Sequence, residues 1–244
     1  MRHNSAVFAE GLKVTRRGTE ILHGLDLDVP AGGITGLFGD PGSGKTTLLR
    51  VLTGRQRPSA GTVRVLGLPT GDSRLRTRVG HTSQAPATQS DLTARENVQD
   101  AARRVGMSRA DAEVAIERVH LGRYADTRVD RLGRAHAVRT AIACALVTSP
   151  QLLLMDEPTT GLDDKSRAGL WQLFREIAGG GVTVLVASAL PEEAERCDAA
   201  IHLLEGRLED PRSGSDAEPG PASGEAADYS GSAPEPDRLP NDSV

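Results

Sequence analysis

The chain has 244 residues, a formal net charge of −4 and 38% hydrophobic residues, enough apolar content for one well-buried domain with a small subdomain. No stretch of about 18 apolar residues occurs, which excludes a membrane-spanning helix, and residues 1–10 lack the apolar core of a secretion signal, so a secreted protein is not expected. Residues 211–244 hold seven acidic residues against two arginines, which leaves the rest of the chain near neutral, without the basic excess of a nucleic-acid binder.

Residues 6–12 and 21–29 are predicted strands, joined by a polar turn over 16–20. Residues 34–38 form a short apolar strand that runs into a glycine-rich stretch. A helix is predicted over 45–53, stopped by Gly54 and Pro58. Residues 61–66 and 79–83 are further short strands. From Asp91 to about Val147 the pattern is helical, with segments at 93–104 and 108–120, and Ser108 with Asp111 fits a capping box. Residues 151–155 are almost wholly apolar, as in a strand buried on both faces. A helix over 164–178, a buried strand over 182–187, a helical segment over 191–196 and a last strand over 199–204 follow.

This order predicts an α/β fold, a parallel-sheet core with a helical subdomain at about 85–150 inserted between its halves. Residues 211–244 carry six prolines and almost no large apolar side chains. They are expected to be a disordered acidic tail, since they bury too little to offset the entropy of ordering. Cys144 and Cys197 lie far apart without metal-ligand spacing and are expected to be small buried side chains.

Gly39-Asp40-Pro41-Gly42-Ser43-Gly44-Lys45-Thr46 matches the phosphate-loop pattern G-x-x-x-x-G-K-[ST] in full, between a predicted strand and a predicted helix. Its glycines let successive backbone N–H groups turn inward onto a phosphate, and the helix that follows adds its positive N-terminal end. Lys45, one of only three lysines among 29 basic residues, is expected to reach the β- and γ-phosphates of a nucleotide, and the Thr46 hydroxyl to take one Mg2+ position. About 110 residues on, the apolar strand Leu152-Leu153-Leu154-Met155 ends in Asp156 and Glu157. Strand alternation would send the two carboxylates in different directions, one to hold Mg2+ and the other to face the γ-phosphate and polarise an attacking water.

With these segments in place the chain resembles an ABC-family ATPase over roughly residues 6–209. Residues 36–47, which extend the loop to Thr47, resemble the Walker A segment and residues 152–158 the Walker B segment. Gly161-Leu162-Asp163 resembles the D-loop, and Gln84 the Q-loop glutamine that touches Mg2+ and links the core to a membrane partner. Residues 91–97 and 192–195 resemble the drug-export-like and ABC-2-like members. The resemblance implies a P-loop NTPase core with a parallel sheet, an N-terminal antiparallel β subdomain and a helical subdomain. It also implies ATP and Mg2+ as ligands, Glu157 and Gln84 as catalytic residues, and Thr46, Gln84 and Asp156 around the metal.

Three features depart from the family pattern. The Leu-Ser-Gly-Gly-Gln signature aligns with Leu132-Gly133-Arg134-Ala135-His136. There Arg134 either clashes where backbone should approach closely or supplies a phosphate-binding guanidinium. The switch histidine aligns with Ala189, which has no group to hydrogen-bond a phosphate; His202 is a strand histidine rather than its substitute, and His136 is a weak second candidate. The aromatic that stacks on adenine is missing near Arg16 and Arg17, either of which could stack on a base or simply be a solvated turn charge.

The resemblance therefore implies an ATP-binding subunit that couples ATP binding and slow hydrolysis to a separate membrane permease, with export the expected direction. Such a chain would be cytoplasmic, peripheral on the inner face of the cell membrane, and would pair with a second ATP-binding domain, its own copy or another. The alternative is a nucleotide-binding regulatory subunit that hydrolyses little. A DNA- or ribosome-directed ATPase of the same family would carry tandem domains or a long coiled-coil insert, and neither is present.

Overall fold

The computed structural model describes residues 5–84 and 88–209. The expected acidic tail lies outside the described residues. In chain order the strands are β1 (Ser5–Arg16), β2 (Thr19–Pro30), β3 (Ile34–Phe38), β4 (Ala60–Val65), β5 (Leu68–Pro69), β6 (Val79–Thr82), β7 (Leu152–Asp156), β8 (Thr183–Ser188), β9 (Ala199–Leu204) and β10 (Arg207–Leu208). The α-helices are α1 (Lys45–Leu52), α2 (Ala94–Arg104), α3 (Arg109–Arg118), α4 (Arg134–Leu146) and α5 (Asp164–Gly179).

Two sheets organise these elements. An antiparallel sheet runs in the order β2-β1-β4-β5, and a six-stranded sheet in the order β10-β9-β3-β8-β7-β6. In the second sheet β3 pairs in parallel with both β8 and β9, β7 with both β6 and β8, and only β10 returns antiparallel, against β9. The strand predicted at 6–12 continues to Arg16. Its ladder with β2 shifts between Ala9 and Leu12, where Gly11 takes φ +58°. A bulge of this kind inserts one residue and resets the face of everything beyond it. The Gly11 N–H, freed from the ladder, donates to Asp26 Oδ1 at 2.7 Å.

β7 separates two cores. Leu152 and Leu154 pack with Leu48, Leu49 and Leu52 of α1 and with the antiparallel sheet, whereas Leu153 and Met155 pack with Trp171 and Phe174 of α5 and with the helical segment. Successive side chains of a strand point to opposite faces, so an uninterrupted apolar run is what a strand covered on both sides requires. Helices α2 and α3 each open on a capping box, Thr93 with Glu96 and Ser108 with Asp111, which satisfies N–H groups that the helix itself leaves unpaired. The segment expected to be helical at 191–196 is a 3-10 turn with proline at its start, Pro191–Arg196. Its six residues close too few i→i−4 bonds for an α-helix. Cys144 and Cys197 are half-buried and unpaired, and burial pushes their thiols up to about 12 and about 11, which keeps them as unreactive thiols.

Because Leu154 is fully buried beside α1, Leu154→Ala is expected to cost about 2–5 kcal/mol of unfolding free energy. Equilibrium urea denaturation, read as a lowered midpoint at unchanged slope, measures this.

Candidate nucleotide site

Three segments meet at the carboxyl edge of the parallel sheet, where ligands of open α/β sheets bind. The loop after β3 leads into α1, whose N-cap is Gly44 at φ +113°. A Cβ on Gly39, at φ +153°, would sit 2.1 Å from the Leu203 carbonyl oxygen, and one on Gly44 would sit 2.7 Å from Leu22 Cδ2. These two glycines let the loop pass against β9 and β2, which fixes its curvature. The short β9–β10 turn closes the packing from behind. The Gly206 N–H donates to the Ser43 carbonyl at 2.9 Å and the His23 N–H donates to the Gly206 carbonyl at 2.9 Å. A two-residue strand such as β10 carries no periodicity to read, so this backing was not legible in the sequence.

Inside the loop Lys45 is buried, at 4% exposure. Its Nζ donates to the carbonyls of Gly39 at 2.6 Å and Asp40 at 3.0 Å and lies 3.9 Å from Glu157 Oε1. Burial lowers its pKa, against the pull of Glu157, Asp156 and Asp40 in the other direction. The Ser43 Oγ is buried without a hydrogen-bond partner, an arrangement that buried hydroxyls rarely keep. Asp40, Pro41 and Gly42 are exposed at the mouth of the loop, and Thr46 and Thr47 are half-buried in the first turn of α1.

Across β8, Asp156 ends β7 with its side chain buried, and Thr46 Oγ1 donates to its Oδ1 at 3.2 Å. Burial raises the Asp156 pKa, opposed chiefly by this hydrogen bond. Glu157 faces elsewhere, but not through strand alternation. β7 stops at Asp156, and Glu157 takes φ +49°, a left-handed conformation uncommon outside glycine. Its N–H donates to the Ala187 carbonyl at 2.9 Å. Its carboxylate accepts from Gln84 Nε2 at 2.9 Å and from Thr160 Oγ1 at 3.4 Å. Lys45, Thr46, Asp156, Glu157 and Gln84 are thus one connected group.

Arg134 opens α4 and turns back onto its own chain, with Nε donating to the Thr160 carbonyl at 2.7 Å. It closes one side of a cavity of about 330 Å3 whose other walls include Thr82, Gln84, Val138, Ala141 and Glu157. His136 packs on Tyr124, ring centroids 4.0 Å apart, and His202 of β9 packs on Phe38 of β3, 5.7 Å apart. Ala189 directly follows β8. Arg16 is exposed in the β1–β2 hairpin and makes no side-chain hydrogen bond or ion pair with the described residues of the loop.

The donor set fits a phosphate with a hard cation. The ammonium of Lys45 and the unpartnered Ser43 hydroxyl are buried polar groups, and Thr46 with Asp156 offers oxygens at the helix start. Among the described residues no cluster of three or more His, Cys, Asp or Glu side chains makes a metal cage. Mg2+ binds through one or two protein oxygens with waters and substrate phosphates, and the Thr46–Asp156 pair supplies oxygens of that kind.

The raised Asp156 pKa has a sign. Between the ordinary 3.8 and the higher folded value the folded state holds more protons than the unfolded chain, so stability falls as pH rises through that window and stays lower above it. Asp156→Asn, which keeps an acceptor for Thr46 and removes the buried charge, is therefore expected to raise the melting temperature of the nucleotide- and metal-free protein at neutral pH. Differential scanning calorimetry across pH is the measurement.

A model of the ABC transporter family matches residues 22–160. "Nod factor export ATP-binding protein I" of Burkholderia lata is 38% identical over 194 residues, 77% of this chain and 64% of that protein. "Daunorubicin/doxorubicin resistance ATP-binding protein DrrA" of Streptomyces peucetius is 36% identical over 207 residues, 82% of this chain and 62% of that protein. The matched part thus spans less than two thirds of the length of these relatives. Among solved structures, cbiO1 from Clostridium perfringens, described as part of the ABC transporter complex cbiONQ, superposes with a TM-score of 0.77 at 26% identity, covering 85% of this chain and 88% of that one. A dimeric ATP-binding cassette in a post-hydrolysis state bound to ADP and Pi gives a TM-score of 0.73 at 26% identity, covering 84% and 97%. A phosphate loop, two carboxylates and a glutamine joined at the sheet edge, within a fold shared with these cassettes, agree with the family match, and the chain belongs to the ABC transporter family.

Proposed function

We propose that this chain is the ATP-hydrolysing subunit of an exporter whose membrane permease is a separate protein, and that its turnover is slow. The observation that carries the reading is the buried ammonium of Lys45 beside the unpartnered Ser43 hydroxyl and the Thr46–Asp156 pair. The loop amides of Gly39–Thr46 and Lys45 would bind the β- and γ-phosphates of ATP, and Thr46, Asp156 and Gln84 would hold Mg2+. When bound, the metal neutralises charge between the β- and γ-phosphates. Glu157, kept near Lys45 and hydrogen-bonded by Gln84, orients and polarises the water. Lys45 gives up its two carbonyl contacts in favour of phosphate oxygens, a charge-assisted exchange that stronger acceptors favour.

The export direction and the permease partner come from the likeness to the Nod factor export and daunorubicin/doxorubicin resistance proteins. No helix among the described residues is long and apolar enough to cross a membrane, and the reading places the chain on the cytoplasmic face against its permease. A second ATP-binding domain completes the unit, as in the dimeric cassette that shares this fold. The presence of Glu157 and Gln84 favours hydrolysis over a purely regulatory role. Slow turnover follows from two groups. Ala189 cannot hydrogen-bond the γ-phosphate, and Arg134 stands in the altered signature with its Nε spent on its own Thr160 carbonyl. One lost transition-state contact costs about 3–4 kcal/mol, or on the order of 10²–10³ in rate.

Lys45→Ala is expected to abolish binding of a fluorescent ATP analogue in the presence of Mg2+, and unchanged affinity would overturn the site. Steady-state phosphate release is expected on the order of 10²-fold below an unaltered subunit of the family, rising in Ala189→His. A parent rate already equal to such a subunit would refute slow turnover.

A further inference from the structure

Glu193 lies in the 3-10 turn Pro191–Arg196 with none of its surface exposed. A carboxylate withdrawn from water needs its lone pairs filled. Ser188 Oγ donates to Oε2 at 2.6 Å, Thr159 Oγ1 donates to Oε2 at 3.1 Å and Trp171 Nε1 donates to Oε1 at 3.0 Å. The Nε of Arg167 stands 3.9 Å from Oε1. As a device for holding a core together this is costly, because an apolar side chain of the same volume carries no desolvation penalty. Its partners suggest another purpose, since they come from the end of β8, the loop after β7, and α5.

Both donors to Oε2 flank Glu157. Thr159 lies two residues beyond it, and Ser188 follows Ala187, whose carbonyl accepts the Glu157 N–H at 2.9 Å. The φ of +49° at Glu157 is a conformation that a non-glycine residue keeps only where its surroundings over-determine it. We propose that Glu193 is a positioning residue for Glu157. By fastening Thr159 to Ser188 it fixes the turn on both sides of the strained residue, and so holds the Glu157 carboxylate against Gln84 and in front of Lys45. The Ser188 hydroxyl also accepts the Leu190 N–H at 3.1 Å, so the same carboxylate steadies the loop that carries Ala189. This inference rests on the reading of Glu157 as the residue that polarises water.

The test uses the full-length chain. Glu193→Gln preserves volume but replaces one acceptor oxygen with a donor. Displacement of a catalytic group by ~1 Å costs up to about 10²-fold in rate, so kcat for release of labelled phosphate is expected to fall about tenfold or more. KM for ATP and affinity for the fluorescent analogue, which depend on the loop, are expected to stay within about twofold. A purely structural carboxylate would lower the melting temperature and leave kcat of the folded protein unchanged. Thr159→Val, which removes one donor and keeps the carboxylate, is expected to shift kcat in the same direction and serves if Glu193→Gln does not fold. Glu157→Gln is measured alongside. If it abolishes turnover while Glu193→Gln and Thr159→Val keep the parent kcat, the positioning role is wrong and the role of Glu157 stands. If Glu157→Gln itself keeps the parent kcat, the reading of Glu157 fails and the positioning role with it.

Discussion

An ammonium group held out of water sets the geometry of this site. Lys45 is enclosed by the loop that carries it, with its charge balanced by two backbone carbonyls at 2.6 and 3.0 Å and by a carboxylate at 3.9 Å. A buried cation without such partners would give up its proton or unfold its surroundings. The curvature of the loop, the close pass of Gly39 beside the Leu203 carbonyl and the backing turn at Gly206 all maintain that enclosure. The six-stranded sheet supplies the rest. It places β8 between β3 and β7, so that Asp156 at the end of β7 and Glu157 just beyond it arrive one strand away from the loop.

Under the proposed function the group divides into a part that grips and a part that reacts. Lys45, Ser43, Thr46 and Asp156 lie on α1, its preceding loop and the end of β7, elements pinned by both cores. Glu157 and Gln84 lie where regular structure has ended, and they are oriented by their mutual hydrogen bond and by contacts of Glu157 with Thr160 and the Ala187 carbonyl. Two of the three departures from the family pattern, at residues 132–136 and at Ala189, fall with the second part, and the third, near Arg16 and Arg17, lies on the side expected to face adenine. Arg134 lines the cavity beside Gln84 and Glu157 and Ala189 directly follows β8, while every residue of the phosphate loop is intact. In the proposed function, binding and turnover are therefore under separate physical control.

Much of this was legible in the sequence. The phosphate loop is a contiguous motif with a fixed spacing, and β7 announces itself by an apolar run that only a strand buried on both faces can sustain. The capping box at Ser108 and Asp111 was visible for the same reason, as a local pattern with a local cause. What the sequence did not disclose was of two kinds. Very short strands such as β5 and β10 have no period, and the bulge at Gly11 breaks the period that would have carried β1 onward to Arg16. Contacts between distant segments have no local signature either. The Glu193 partners lie at Thr159, Trp171 and Ser188, and nothing in Pro-Glu-Glu-Ala-Glu-Arg says which glutamate turns inward. Asp156 and Glu157 were expected to diverge by alternation. They diverge because the strand ends between them and the second adopts a left-handed backbone, a property set by its surroundings and not by its neighbours in sequence.

The turn at Gly206 gives the molecule a definite order of completion. It is the segment that joins the back of the phosphate loop at Ser43 to the antiparallel sheet at His23, yet it lies more than 150 residues downstream of both. A chain emerging from the ribosome amino end first has its loop, helix and both carboxylates in hand well before the piece that braces them. The nucleotide pocket of this protein is consequently among the last features to become rigid during synthesis, and a product cut short before Gly206 would carry every motif residue of the site without the support that holds the loop in shape.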